Sequence, residues 1–297
     1  MPHIRENPGF FLIYTCFFLL FVLFFSNNPS AAAEDNSFKL LKQRLISDGF
    51  DKVMINEIYN NPEMKFNSKS VSRFFMHNES KLNYGRFTSA KLISNAREYK
   101  KKYAKDLLMA EKDYGVDKNI ITAIILVETK LGKYTGKSVV FTTLSTMASL
   151  SDPLAKKKLW EDMPRKNRLS MDAFNKKVQK RSKWAYNELK AFIKYTARES
   201  IPPFKVKGSY AGAMGFAQFM PSNILTLAID GNSDGKVDLF NHTDAICSIA
   251  NFLRRYGWRP GIDRKQAGKV IYYYNHSKYY VKTILDIADI LKKQADY

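Results

Sequence analysis

Apolar side chains recur at helical spacing along most of this chain and nowhere alternate with polar ones between hairpin turns. Phe38, Leu41 and Leu45 stand at i, i+3 and i+7, the stripe of an amphipathic helix. Asp51 is placed to cap a second helix through Val53, Ile55 and Ile58. Ala90 to Tyr114 reads as one longer helix stopped by Gly115. Asp117 then caps another, through Ile120, Ile121, Ile124 and Leu126 to Gly132. Apolar spacing resumes over 186–198. From Ser277 a last helix aligns Val281, Ile284, Leu285, Ala288 and Leu291 on one face. The pattern predicts a mainly α protein without internal repeats or a large sheet. One stretch, 202–223, has two prolines and many small residues, which suits a shaped site better than a regular element.

The N-terminus has its own pattern. Arg5 precedes an apolar run from Phe10 to Phe25, and Ala31-Ala32-Ala33 follows. At 16 residues the run is short for a permanent span, and the trio fits a secretory signal peptide cleaved after Ala33. An uncleaved membrane anchor is the alternative. Cys16 would leave with the signal, so the exported chain keeps one cysteine, Cys247, and must fold without an internal disulfide. Composition is that of a globular protein, with 45% hydrophobic and 26% charged residues, but the net charge of +20 is unusual. Such a surface attracts polyanions. Export disfavours nucleic acid and makes an anionic envelope polymer the leading partner. Eleven of the cations lie within 156–183, as a solvated helical face or as a polymer contact.

Four groups of residues carry candidate chemistry. Glu128 follows eight residues that include five Ile or Leu, near the end of its helix. Apolar neighbours and a helix C-terminus both favour a carboxyl that keeps its proton, as a general acid must. A helix-end salt bridge is the alternative. The run Gly208 to Ser222 combines small residues with Ser209 and Gln218, neutral groups suited to sugar hydroxyls and amides. Tight helix packing would explain the small residues equally well. Asp230-Gly231-Asn232-Ser233-Asp234-Gly235 opens like a calcium loop, with Lys236 offering a carbonyl. Asn241 occupies the place of the usual glutamate, and Asp244 is the nearest carboxylate able to close the cage; a metal-free Asx turn is the alternative. Tyr272-Tyr273-Tyr274-Asn275-His276 could line a sugar groove or fill the core.

Glu128-Thr129-Lys130-Leu131-Gly132, the Gly208–Ser222 run, the calcium-like loop, Ala245 to Phe252, Tyr256-Gly257-Trp258 and Tyr274-Asn275-His276, in this order, resemble the lytic murein transglycosylase B family. The resemblance is strongest from Tyr114 to Tyr280 and implies a lysozyme-like α fold. It also implies cleavage of the MurNAc–GlcNAc bond of peptidoglycan without hydrolysis, leaving 1,6-anhydro-MurNAc ends. Glu128 matches the single catalytic acid/base, and Ser209, Gln218, Tyr274 and Asn275 match residues around the scissile bond. Asp230, Asn232, Asp234, Lys236 and Asp244 match a structural calcium site, which in the family also closes on an aspartate beyond position 12. No catalytic cofactor is implied. Expected partners are glycan strands and proteins of cell-wall synthesis, in the periplasm. The expected organisation is a signal peptide over 1–33, an N-terminal helical part over 34–113 and a catalytic core over 114–297. Two departures stand out. Only 13 residues separate Trp258 from Tyr272, so the family's small β domain is absent or reduced, and the basic segment near 150–200 is expanded. A lysozyme-type hydrolase and a non-catalytic wall-binding protein are the other readings.

Overall fold

The computed structural model describes residues 36–77, 83–166 and 168–293, and these belong to one packed unit beginning at Asp35. The signal peptide expected over 1–33 lies outside the described residues. Helices run in the order α1 (Lys39–Ser47), α2 (Lys52–Tyr59), α3 (Ser68–Met76), α4 (Ala90–Lys102), α5 (Ala104–Tyr114) and α6 (Lys118–Thr129). They continue with α7 (Val140–Ser149), α8 (Pro153–Asp162), α9 (Met171–Arg198), α10 (Pro221–Leu227), α11 (His242–Arg255), α12 (Arg264–Tyr274) and α13 (Lys278–Lys292). Among the described residues the only sheet is a pair of two-residue strands, β1 (Ser138–Val139) and β2 (Lys207–Gly208), antiparallel with Ser138 opposite Gly208. No β domain stands between Trp258 and Tyr272; a turn leads directly into α12. No described helix is long and apolar enough to cross a membrane.

Two helices form the centre. α6 is buried without interruption from Asn119 to Leu126, and all ten residues of α7 are buried. A helix apolar all round must be covered on every side. α13, α4, α5 and α11 surround α6, while α9, α1, α3 and α8 surround α7. Ile121, Ile124 and Ile125 of α6 are fully inaccessible, each contributing roughly 1.5–3 kcal/mol by burial. α9 packs on α7 and buries a helical stripe of Phe174, Val178, Ala185, Leu189, Phe192 and Thr196, with Phe192 on Phe141 of α7 and Phe174 on Phe75 of α3 and Trp160 of α8.

Local chemistry sets the boundaries. Asp51 accepts from the Met54 N–H (2.7 Å) and Asp117 from that of Asn119 (2.7 Å), the two expected caps, and Ser277, the expected start of the last helix, accepts from that of Tyr280 (3.3 Å). Two expectations change. The helix from Ala90 breaks at Tyr103, where φ is −108°, and the break lets Tyr99 and Tyr103 both pack on His242, 5.3 and 4.3 Å between ring centres. The helix from Asp117 stops at Thr129 instead of Gly132, because Lys130, Leu131 and Gly132 all take positive φ (49°, 62° and 89°). Cys247 is buried and unpaired among the described residues, and burial pushes its thiol up to about 12.

His242 has a pH consequence. Its Nδ1 lies 2.9 Å from the Tyr99 hydroxyl, and its ring stacks on Phe216 at 4.1 Å. Burial, reinforced by Lys102 and opposed by Asp106, depresses its pKa to about 4. The unfolded chain takes up this proton near pH 6.5 and the folded chain does not. Stability is therefore present above pH 6.5 and lost as pH falls towards 4. With allowance for its partial exposure, about 1–2 kcal/mol is expected to disappear over that window. Urea unfolding between pH 4 and 7 should show a shallower slope by that amount in His242→Gln; an unchanged slope would remove His242 from the account.

Candidate active site

Glu128 sits in the last turn of α6, just before the three positive-φ residues. The N–H groups of Lys130 and Leu131 return to the carbonyls of Leu126 and Ile125 (3.0 and 3.1 Å), and Thr129 Oγ1 accepts the Gly132 N–H (3.0 Å). The chain is thus turned away sharply and leaves the half-buried Glu128 side chain facing a cavity of about 760 Å³. α13 supplies the opposite wall. There the Tyr280 hydroxyl donates to Glu128 Oε1 at 2.7 Å. Burial first, and the Glu128 charge second, push the Tyr280 phenol well above its ordinary value, so it remains a donor at working pH.

The four expected substrate residues line the same cavity. Ser209 lies in the tight turn network after β2. Its Oγ accepts the N–H groups of Ala211 (3.3 Å) and Ala213 (3.1 Å), so what it offers a ligand is its O–H. Gln218 is held at a positive φ of 49°, a conformation costing about 1–2 kcal/mol for such a residue. Both N–H bonds of its amide are used, on the carbonyls of Thr135 (3.2 Å) and Gly215 (2.9 Å), which leaves Oε1 as an acceptor. Gly136 and Gly215 make this packing possible. A Cβ on Gly136 would lie 1.9 Å from the Gly208 oxygen, and one on Gly215 would lie 2.3 Å from Leu239 Cβ. The Tyr274 hydroxyl donates to the Ala217 carbonyl (2.5 Å), and its ring lies parallel to that of Tyr280 at 6.4 Å. Tyr274 is therefore chiefly a wall. Asn275, just past the end of α12, has no side-chain hydrogen bond among the described residues and keeps its whole amide for the cavity.

Residues outside the expected set complete the site. Tyr280 is the most important; it falls inside the amphipathic pattern of the last helix, where it reads as core. Tyr84, Arg86 and Phe87 come from a short 3₁₀ turn packed on α13, and Lys177 and Arg181 reach in from α9. The basic segment thus brings two of its cations to the cavity. Glu188, buried on α9, accepts the Ser222 N–H (2.9 Å) and hydroxyl (2.8 Å) and fixes the start of α10 behind Gln218. Tyr272, Tyr273 and His276 do not join the site; they line a separate groove between α12 and α13. Among the described residues lining the Glu128 cavity, Glu128 is the only carboxylate, faced by Arg86, Lys177 and Arg181.

The calcium-like loop holds itself together by its own hydrogen bonds. Asp230 accepts the N–H groups of Asp234 (3.1 Å) and Gly235 (2.8 Å). Asn232 Nδ2 donates to Asp234 (2.9 Å). Asp244, fully buried in α11, accepts from Gly231 (3.0 Å) and Asp238 (2.8 Å). Lys236 donates its N–H to Asp234 (2.9 Å), which leaves its carbonyl available. Asn241 caps α11 by accepting the Thr243 N–H (2.8 Å), which accounts for an amide at that position. Among the described residues no three His, Cys, Asp or Glu side chains converge on one metal position. The donor set is nonetheless all oxygen, the chemistry of a hard cation.

The model of the transglycosylase SLT domain matches residues 33–269. The chain belongs to that family. Membrane-bound lytic murein transglycosylase B of Escherichia coli (strain K12) is 28% identical over 248 residues, 80% of this chain. The chain spans 60% of the length of that relative. Among solved structures, soluble lytic transglycosylase SltB1 of Pseudomonas aeruginosa superposes with a TM-score of 0.71 at 22% identity, covering 87% of this chain and 99% of that one. SltB3 of the same organism, in complex with a NAG-NAM-pentapeptide, gives 0.66 at 19% identity, covering 86% and 80%. The helical fold of this SLT-domain protein is that of the lytic transglycosylases.

Proposed function

We propose that this SLT-domain protein cleaves the MurNAc–GlcNAc β-1,4 bond of peptidoglycan non-hydrolytically and leaves a 1,6-anhydro-MurNAc end. The observation that carries the reading is the single carboxylate among the described residues that line the cavity. A glycosidase of the usual kind needs two carboxyl groups across the bond. Here Glu128 has no such counterpart among the described lining residues, which favours a route in which the substrate supplies the second group.

In this mechanism Glu128 gives its proton to the glycosidic oxygen as the C1–O bond breaks. The MurNAc N-acetyl oxygen stabilises the positive charge at C1. The C6 hydroxyl then attacks C1 and returns its proton to Glu128, which ends as it began. Tyr280, donating to Oε1, stabilises the ionised form between the two proton transfers. The Ser209 O–H, the Gln218 Oε1 and the Asn275 amide hold the sugar and its acetamido group in reacting geometry, an effect that can amount to several kcal/mol. The cations on the rim face the carboxylates of the stem peptides. Digestion in ¹⁸O-labelled water tests this reading. No label is expected in the products, whereas one labelled oxygen per cleavage would favour a lysozyme-type hydrolase.

The apolar run from Phe10 to Phe25 with Ala31-Ala32-Ala33 after it, together with the high positive charge, supports export to the periplasm with cleavage after Ala33. Calcium fits the loop as a structural ion held by Asp230, Asn232, Asp234, the Lys236 carbonyl and Asp244, where it would neutralise neighbouring carboxylates and brace the segment that follows Gln218. At a hundredfold excess over Kd, calcium should raise Tm by about 5–8 °C. Asp244→Asn should abolish the shift. No shift in the wild-type protein would make the loop a metal-free turn.

A further inference from the structure

A second cavity, of about 810 Å³, adjoins the first and is separated from it by the rings of His77 and Tyr210, 5.7 Å apart, which line both. Its walls are α3 and the end of α8 with the turn that follows, so one side belongs to the stretch near 150–200 that is longer than the family resemblance leads one to expect. Lys69 and Arg73 project from α3 one turn apart, both exposed, and neither is in an ion pair with a described residue. The one carboxylate among the described residues of this cavity, Asp162, accepts a hydrogen bond from the Ser68 hydroxyl. Between the two cations stands Ser72, a cavity-lining residue 4% exposed, whose hydroxyl oxygen is buried and has no hydrogen-bond partner among the described residues. A buried hydroxyl left unsatisfied costs about 1–3 kcal/mol, so turning the Ser72 side chain towards a polar group in the cavity would recover that cost. Met76 and Pro164 supply apolar surface.

Two unpaired cations, one unsatisfied hydroxyl and an apolar floor suit an acidic peptide. A further stretch of sugar would call for a row of neutral polar groups instead. We propose that this cavity receives the stem peptide of a muramyl residue bound beside Glu128, with Arg73 and Lys69 on its carboxylates and Ser72 on its backbone. The inference rests on the reading of peptidoglycan as substrate. It makes these residues determinants of specificity and gives them no part in the chemistry.

The test compares glycan strands bearing stem peptides with the same strands stripped by an amidase, using the full exported chain. For Lys69→Ala/Arg73→Ala, KM on peptide-bearing strands should rise about tenfold with kcat unchanged, and cleavage of stripped strands should stay as in the wild type. Arg73→Lys should restore part of the loss. Ser72→Ala should raise KM on peptide-bearing strands about threefold without lowering Tm, because it removes a hydroxyl that makes no intramolecular bond. Equal losses on both substrates, or none on either, would overturn the assignment while leaving the enzyme reading intact. A wild-type protein that cleaved neither substrate would overturn that reading and this one with it.

Discussion

Glu128→Gln is expected to lower kcat on purified peptidoglycan by about a thousandfold or more, with Tm and wall binding unchanged. The glutamine keeps the shape of the side chain but can neither give a proton to the glycosidic oxygen nor take one from the C6 hydroxyl. Both halves of the reaction fail together, and proton transfer by a placed side chain is commonly worth two to four orders of magnitude. Glu128 is the one carboxylate among the described residues of the cavity, so none of these neighbours can take over. Activity within tenfold of the wild type, in a folded protein, would exclude Glu128 as the acid/base.

Tyr280→Phe should cost about 10–100-fold in kcat and leave KM nearly unchanged. The phenol donates to Oε1 at 2.7 Å from a buried position, and a hydrogen bond to a charged group contributes about 1.5–3 kcal/mol. That contribution falls mainly on the ionised carboxylate between the proton transfers, hence on kcat. The ring remains to fill the space between α6 and α13 beside Tyr274, so the fold should hold. A rise in KM alone would place the hydroxyl among the groups that only bind substrate.

Much of this architecture is legible in the sequence where its causes are local. Asp51, Asp117 and Ser277 cap helices because an oxygen two or three residues ahead of an orphan N–H is a short-range arrangement. Glu128 is legible for a similar reason, as a carboxylate at the end of a run too apolar to be exposed. What long-range packing decides is not. Tyr280 becomes part of the site only because α13 lies against α6, 152 positions away in the chain. The break at Tyr103 answers to His242, and Glu188 answers to Ser222. Ser209 and Gln218 are recognisable as polar lining, yet which of their donors and acceptors remain depends on the backbone folded around them. The glycines show the same division: the sequence marks a tight segment, and only the folded chain shows Gly136 pressed against Gly208.

The most direct test of the central claim is mass spectrometry of muropeptides released from purified peptidoglycan by residues 34–297, beside the same protein carrying Glu128→Gln. Products lighter by one water than their reducing-end counterparts, from the wild type alone, are the predicted result. Reducing-end products from the wild type, or anhydro products from both proteins, would contradict it.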